Sequence, residues 1–401
     1  YVCGTNGGAL FILVYVLVIV LIGIPLLTAE ISMGYVTQKT AVGAYQTLKP
    51  HSKWHLASYL HIIVAILVNG YTVPIYVWIL AYIYKTATGF FQGLDAAGIA
   101  ESFDALSGDY KTMFLFAVIN WLIITVIISG DVQNGVEKVN KFLLPALAVI
   151  MVVCIVIGLR VEGSTKGLTY MFKPDFSTFS LSAVTAAVGQ AFFAIGIGML
   201  ASMIFGSYLK NKNENIVKHA TIISTSIVVA GIAAGLMIFP MVFAFGLEPG
   251  AGAGLTMITL PNVFNYIAGG RVIGTLFYVG FYFAALSSAI GLAEAIVAVV
   301  MDRFQLTRKK AVAAVMGIIV VIGCCSILIP GFLDQVDIIT SNYLLVISGL
   351  LIAIFVGWIW GIDNFLDAIH VEKKGMRTWL GLSVKYLCPI AILIIFLGNF
   401  I

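Results

Sequence analysis

Long apolar runs dominate the chain and recur between polar or glycine-containing connections. A helix needs about 20 predominantly apolar residues to cross a bilayer. Ten runs satisfy or approach that length: 8–37, 56–84, 112–129, 137–159, 182–209, 215–245, 270–303, 308–329, 335–361 and 378–400. They are continuous rather than alternating, which predicts helices and not barrel strands of about ten residues. The longest, such as 8–37, predict tilt or extension beyond the bilayer. Two longer connections, 85–111 and 246–269, contain 99-IAESFDALSGDY-110 and 249-PGAGAGLTMITLPNVF-264. These read either as short lid helices or as packing at the membrane rim.

Composition sharpens the picture. Only 10% of the 401 residues are charged and 61% are hydrophobic, against roughly 25% charged in an ordinary soluble domain. The chain therefore reads as an all-α integral membrane protein, multi-pass in the cell membrane, with the lipid bilayer as its solvent. A net charge of +4, with Lys and Arg in short clusters, offers no nucleic-acid surface. One alternate set of loops holds fifteen Lys and Arg and the other holds six. The richer set belongs in the cytoplasm, so the 303–310 and 373–377 loops face inward and Tyr1 faces outward. Beginning outside points to a further helix ahead of Tyr1. Cys3, Cys154, Cys324, Cys325 and Cys388 contain no C-x-x-C pair, and most lie in apolar runs, so they read as small hydrophobes rather than a disulfide or zinc framework. No charged segment with a cleavage site precedes the first run, so nothing reads as a removable signal peptide.

Ionisable groups inside spans are expensive and are functional candidates by default. Glu30, Glu294, Asp302 and Asp337 qualify, the alternative being simple reach to the interface, chiefly for Asp302 and Asp337. The histidines, His51, His55, His61, His219 and His370, sit in or beside cationic loops and read as solvated or helix-end residues. The 182–209 run is unusual: in 189-GQAFFAIGIGML-200, Gly196 and Gly198 flank one Ile, which lowers helix stability. An interrupted membrane helix is tolerated where freed backbone groups line a cavity, and its half-helix ends offer partial charges. Close packing at small residues is the competing reading. In 283-FAALSSAIGLAEA-295, Ser287 and Ser288 are adjacent hydroxyls, suited either to helix packing or to an alkali cation. No nucleophile with a paired base, metal-ligand cluster or phosphate loop is evident, so an enzyme is not expected.

The segment 6-NGGALFILVYVLVIVLIGIPLLTAEISMG-34 resembles the second helix of the neurotransmitter:sodium symporter family. Further resemblances follow in order at 135-GVEKVNKFLLPAL-147, 168-GLTYMFKPDFS-178, 188-VGQAFF-193, 198-GMLASMIFGSYL-209, 235-GLMIFP-240, 284-AALSS-288, 302-DRFQLTRKKAV-312 and 334-DQVD-337. The resemblance implies a LeuT-like fold, an inverted repeat of five-helix units with the first helix of each unit broken. The ten spans then correspond to family helices 2–11, with most of helix 1 and all of helix 12 missing. It divides the chain into a first-repeat remnant (1–160), a second repeat (161–361) and an accessory helix (362–401).

The same resemblance implies site roles. Phe193 matches an aromatic outer lid, Ala194, Gly196, Gly198 and Met199 the unwound stretch facing substrate, and Leu292 an opposite wall. Tyr71 is the choice for the substrate-capping tyrosine, although Thr72 occupies the matching register. Ala284, Ser287 and Ser288 match a second sodium site. Glu30 resembles a carboxylate that buttresses the broken helices; Gln190, Tyr208, Asp302 and Asp337 match gating positions. Ala194 and Ile227 stand where side-chain oxygens of a first sodium site are usual, with Thr225 and Ser226 nearby, and Gly231 stands where chloride-dependent members carry Ser. The implied function is sodium-coupled symport of a neutral, hydrophobic amino acid by alternating access, with sodium as coupling ion, no other cofactor, and one sodium per cycle without chloride. The alternative is a sensor or scaffold that keeps the fold without transporting.

Overall fold

The computed structural model describes residues 2–130, 132–178, 180–211, 213–246, 254–267 and 269–398. The described residues are overwhelmingly helical, and nine helices are long and apolar enough to cross a membrane. The helices are α1 (Ala9–Thr37), α3 (Lys53–Ala87), α5 (Tyr110–Ser129), α6 (Gly135–Leu159), α10 (Ile216–Ala244), α12 (Gly270–Phe304), α13 (Arg308–Leu328), α14 (Phe332–Ala368) and α15 (Lys374–Phe396). Shorter helices complete the order: α2 (Ala41–Leu48), α4 (Ala96–Gly108), α7 (Thr165–Phe172), α8 (Leu181–Ile195), α9 (Ala201–Ser207) and α11 (Leu260–Tyr266). The tenth expected span, 182–209, is the pair α8 and α9 separated by a non-helical segment.

Local sequence explains the bends. Pro25 follows a π-type turn at Ile19–Gly23 in α1, and Pro74 follows a bend at Thr72 in α3. In each case the ring removes one N–H from the helical ladder. In α14, π-type turns occupy Thr340–Leu344 and Phe355–Gly361, widening the helix just beyond Asp337.

The segment 99–110 is largely helical, as α4, whose first turn is capped by Asp95 accepting from the Gly98 N–H at 2.8 Å. Of the second candidate lid, α11 is described, while 247–253 lie outside the described residues, as does Lys212 of the cationic loops. Asn265 ties α11 down by donating to the carbonyls of Phe91 and Leu94.

Helices α1 and α9 approach so closely that a Cβ on Gly34 would lie 1.8 Å from the Met203 carbonyl oxygen, and one on Gly206 2.3 Å from that of Ile31. Small residues at membrane interfaces permit such backbone contact. This seam holds the half-helix after the break against the helix that carries Glu30.

Candidate functional site

The break between α8 and α9 is built from three successive turns. Gly196 has φ 72°; its N–H donates to the carbonyl of Phe193, and the Ile197 N–H donates to that of Phe192, a Schellman cap that satisfies carbonyls at the end of α8. Gly198 has φ 76°, and a Cβ there would lie 2.6 Å from Ser348 Oγ, so both backbone conformation and space require glycine. Leu200 has φ 74° and ψ −36°, with the Ala201 N–H donating to the Met199 carbonyl at 2.8 Å, a γ-turn centred on a buried leucine.

Glu30 reaches this turn from α1. It is fully buried, and its Oε2 accepts from the Gly198 N–H at 3.1 Å. Its Oε1 is buried without a hydrogen bond of normal geometry, although the Leu200 peptide group also faces the carboxylate. Burying a carboxylate is costly unless hydrogen bonds replace its water, so an unwound segment with free N–H groups is the partner such a residue needs.

Met199, Val64 and Leu345 form a small buried apolar cluster separate from the main core, with Leu60, Val68, Leu292 and Leu344 packed against it. Met199 and Leu292, matched in the sequence to the unwound stretch and the opposite wall, therefore share one cluster. Phe193, two residues before the end of α8, is 40% exposed; Ala194 and Gly196 are half-buried. Tyr71 is buried and donates from its hydroxyl to Asp337 Oδ1 at 2.5 Å, and Ser341 donates to the same oxygen at 2.9 Å.

On α12, the Ser287 and Ser288 hydroxyls both donate to the Ala284 carbonyl, at 3.0 and 3.3 Å. Three hard oxygens thus converge within one helical turn, the donor type that alkali and alkaline-earth cations take. Ser288 is exposed and Ser287 half-buried. On α10, Thr225 and Ser226 are exposed and Ile227 is half-buried, whereas Ser224 is fully buried with an unpartnered hydroxyl. Gln190 lines a different cavity, of about 410 Å3, with Phe11, Tyr15 and Gly231.

A second polar assembly surrounds a vestibule of about 830 Å3 lined by Thr40, Glu137, Tyr208, Lys210, Glu294, Asp302 and Arg308. The Tyr208 hydroxyl donates to Glu294 Oε1 at 3.3 Å, and Arg308 donates to both carboxylate oxygens while its Nε donates to the Ile128 carbonyl at 2.9 Å. Thr40 donates to Asp302.

Two sequence expectations are corrected here. His61 is not a solvated loop residue: it is fully buried in α3 between Tyr45 and Ser348. Arg308, counted among loop cations, turns inward to the fully buried Glu294. An isolated His or Arg near a span end carries no sign of which neighbour it meets. The one usable signal was Glu294 itself, since a buried carboxylate demands a partner.

Comparison with known proteins gives a consistent outcome. The model of the Sodium:neurotransmitter symporter family matches residues 1–93 and 90–401. The "uncharacterized sodium-dependent transporter YhdH" of Bacillus subtilis is 31% identical over 417 residues, covering 99% of this chain and 91% of that protein. An uncharacterized sodium-dependent transporter of Haemophilus influenzae is 28% identical over 430 residues, covering 100% and 92%. The crystal structure of MhsT in complex with L-phenylalanine superposes with a TM-score of 0.90 at 34% identity, covering 99% of this chain and 93% of that one.

Proposed function

The chain belongs to the sodium:neurotransmitter symporter family, and from that premise we propose that its cargo is a neutral, hydrophobic amino acid held against the break between α8 and α9. It is a multi-pass membrane transporter of LeuT-like fold, not an enzyme, with sodium as coupling ion. The observation that carries the cargo proposal is the apolar cluster of Val64, Val68, Met199, Leu292 and Leu345 directly beside the unwound turn. An apolar wall beside polarised backbone groups suits a molecule with an apolar side chain and a zwitterionic head. Met199 adds a side chain that adapts to varied shapes. That MhsT is solved with L-phenylalanine supports the same class.

In this proposal Phe193 closes over the cargo, Tyr71 caps it, and the backbone of 194–199 meets its charged ends. The Ala284 carbonyl and the Ser287 and Ser288 hydroxyls hold one sodium per cycle, because Ala194 and Ile227 provide no side-chain oxygen for another.

The test is uptake of tritiated L-phenylalanine by the full-length protein in proteoliposomes. Saturable uptake that needs an inward sodium gradient, has a Hill coefficient near one for sodium and is lost in Ser288→Ala is expected. Binding without uptake would favour the scaffold reading. A Hill coefficient near two would restore the first ion site.

A further inference from the structure

The helix break is supported from a direction that its role as cargo site does not explain. Tyr45 on α2, His61 on α3 and Ser348 on α14 are buried in a row. The Tyr45 hydroxyl lies 2.8 Å from His61 Nε2, His61 Nδ1 is bonded to Ser348 Oγ, and the Ser348 hydroxyl donates to the Gly198 carbonyl at 2.7 Å. Ser348 has one proton, and the Gly198 carbonyl can only accept. The Ser348 proton is therefore spent on Gly198, and His61 must donate from Nδ1 to Ser348 Oγ. Nε2 is then left as the acceptor for the Tyr45 hydroxyl. Only one direction, Tyr45 to His61 to Ser348 to Gly198, satisfies every member, and it fixes a neutral imidazole carrying its proton on Nδ1.

We infer that Tyr45, His61 and Ser348 form a one-way hydrogen-bond relay whose function is to position the Gly198 peptide, and with it the cargo-facing backbone of the break. With Glu30 accepting from its N–H and Ser348 donating to its carbonyl, Gly198 is gripped on both sides. A glycine peptide is the one most free to rotate if either grip is lost. The chain ends on a carbonyl, which cannot pass a proton onward, so the relay holds geometry and conducts nothing.

The placement also links the break to the gate region. His61 and Tyr71 are ten residues apart on α3, about 15 Å along a helix at 1.5 Å per residue. Their partners Ser348 and Asp337 run in the opposite order along α14. Val64 and Val68 on α3 and Leu345 on α14, all in the apolar cluster beside Met199, lie between these two rungs. His61 and Ser348 are thus positioning residues: they act through Gly198 and through the spacing of the walls.

The inference rests on the proposed cargo-binding role of the break, and its test separates the two. Binding of tritiated L-phenylalanine to the full-length protein in detergent, at saturating sodium, is measured with thermal stability in ligand-free buffer. Ser348→Ala and His61→Leu should each weaken L-phenylalanine binding about tenfold, about 1.4 kcal/mol. His61→Asn, whose amide N–H can take the place of Nδ1–H, should stay within about threefold, while His61→Gln, which reproduces only the Nε2 end, should behave like His61→Leu. Ser348→Ala removes a single oxygen and serves if His61→Leu does not fold. Unchanged L-phenylalanine binding in Ser348→Ala, or equal loss in His61→Asn and His61→Gln, would overturn the relay. If the parent protein binds no L-phenylalanine, the cargo reading fails instead. The relay is then decided by 15N NMR of histidine-labelled protein, where a protonated Nδ1 and bare Nε2 on His61 are expected and the opposite tautomer would refute it.

Discussion

Glu30 and Glu294 are both fully excluded from solvent, but the structure meets their charge in different ways. Glu30 faces peptide N–H groups of an unwound segment, and its partner exists only because Gly196, Gly198 and Leu200 leave the helical path. Glu294 sits in the regular helix α12 and is met by the guanidinium of Arg308, itself mostly buried, and by the Tyr208 hydroxyl. One partner is a dipole that moves whenever the break moves. The other is a full charge anchored at the start of α13 and to the Ile128 carbonyl. The contrast implies a division of labour, with the dipole contact permitting rearrangement at the helix break and the ion pair resisting it at the vestibule.

The strongest way to break this comparison is to remove Arg308. A buried charge stripped of its counter-ion typically costs about 3–5 kcal/mol, whereas replacing both partners with apolar groups is often neutral. Arg308→Ala should therefore lose about that much stability in detergent denaturation, and Arg308→Met combined with Glu294→Leu should recover most of it. A double variant as unstable as Arg308→Ala would mean that the vestibule depends on the shape of these side chains and not on their charge.

At the break the expected loss is smaller. A hydrogen bond to a charged group contributes about 1.5–3 kcal/mol, so Glu30→Ala should destabilise by about that amount, while Glu30→Gln, which keeps an acceptor for the Gly198 N–H, should lose less. Denaturation of the two variants beside Arg308→Ala tests the order. Should Glu30→Ala prove the more damaging, the dipole contact is not the weaker of the two and the proposed division of labour collapses.

Much of the architecture was legible because it is written locally. Apolar run length is a property of consecutive residues, and it marks nine spans and the broken tenth. Gly196 and Gly198 announce the break because a left-handed turn demands glycine, and Glu30 stands out as a carboxylate in an apolar run. What was not legible depends on contacts between distant segments. His61 lies 287 residues from Ser348, and a lone histidine after a cationic loop looks the same whether its helix begins in water or in the core. A 3-10 turn over Lys53–Leu56 leads into the helix, and His61 lies about one turn past its α-helical start at Ala57. Arg308 was hidden for a related reason, since three consecutive cations, Arg308, Lys309 and Lys310, read as a solvated cluster until the helix they start turns one of them inward. Leu200 was invisible altogether, because nothing in a leucine signals positive φ.

Leu200 gives the smallest and sharpest test of the contrast, since the break alone carries backbone strain next to its carboxylate. A non-glycine residue held in such a region costs about 1–3 kcal/mol, yet the leucine is fully buried, and truncating a buried Leu to Ala costs about 2–5 kcal/mol. The two terms oppose each other in Leu200→Gly, which relieves the strain while emptying the space, so a net loss of roughly 1–2 kcal/mol is expected. Leu200→Ala empties nearly the same space but keeps a Cβ, so the strain remains, and it should be the less stable of the two by about 1 kcal/mol. That order reverses the usual one, in which Ala exceeds Gly by up to about 1 kcal/mol within a helix. The corresponding pair at Ala295, one residue beyond Glu294 in regular helix, should show the usual order, with Ala295→Gly destabilising. Denaturation midpoints of the three variants against the parent decide the matter. If Leu200→Ala is more stable than Leu200→Gly, the residue after Met199 is not in a γ-turn, and the strain that sets the Glu30 side apart from the Glu294 side is absent.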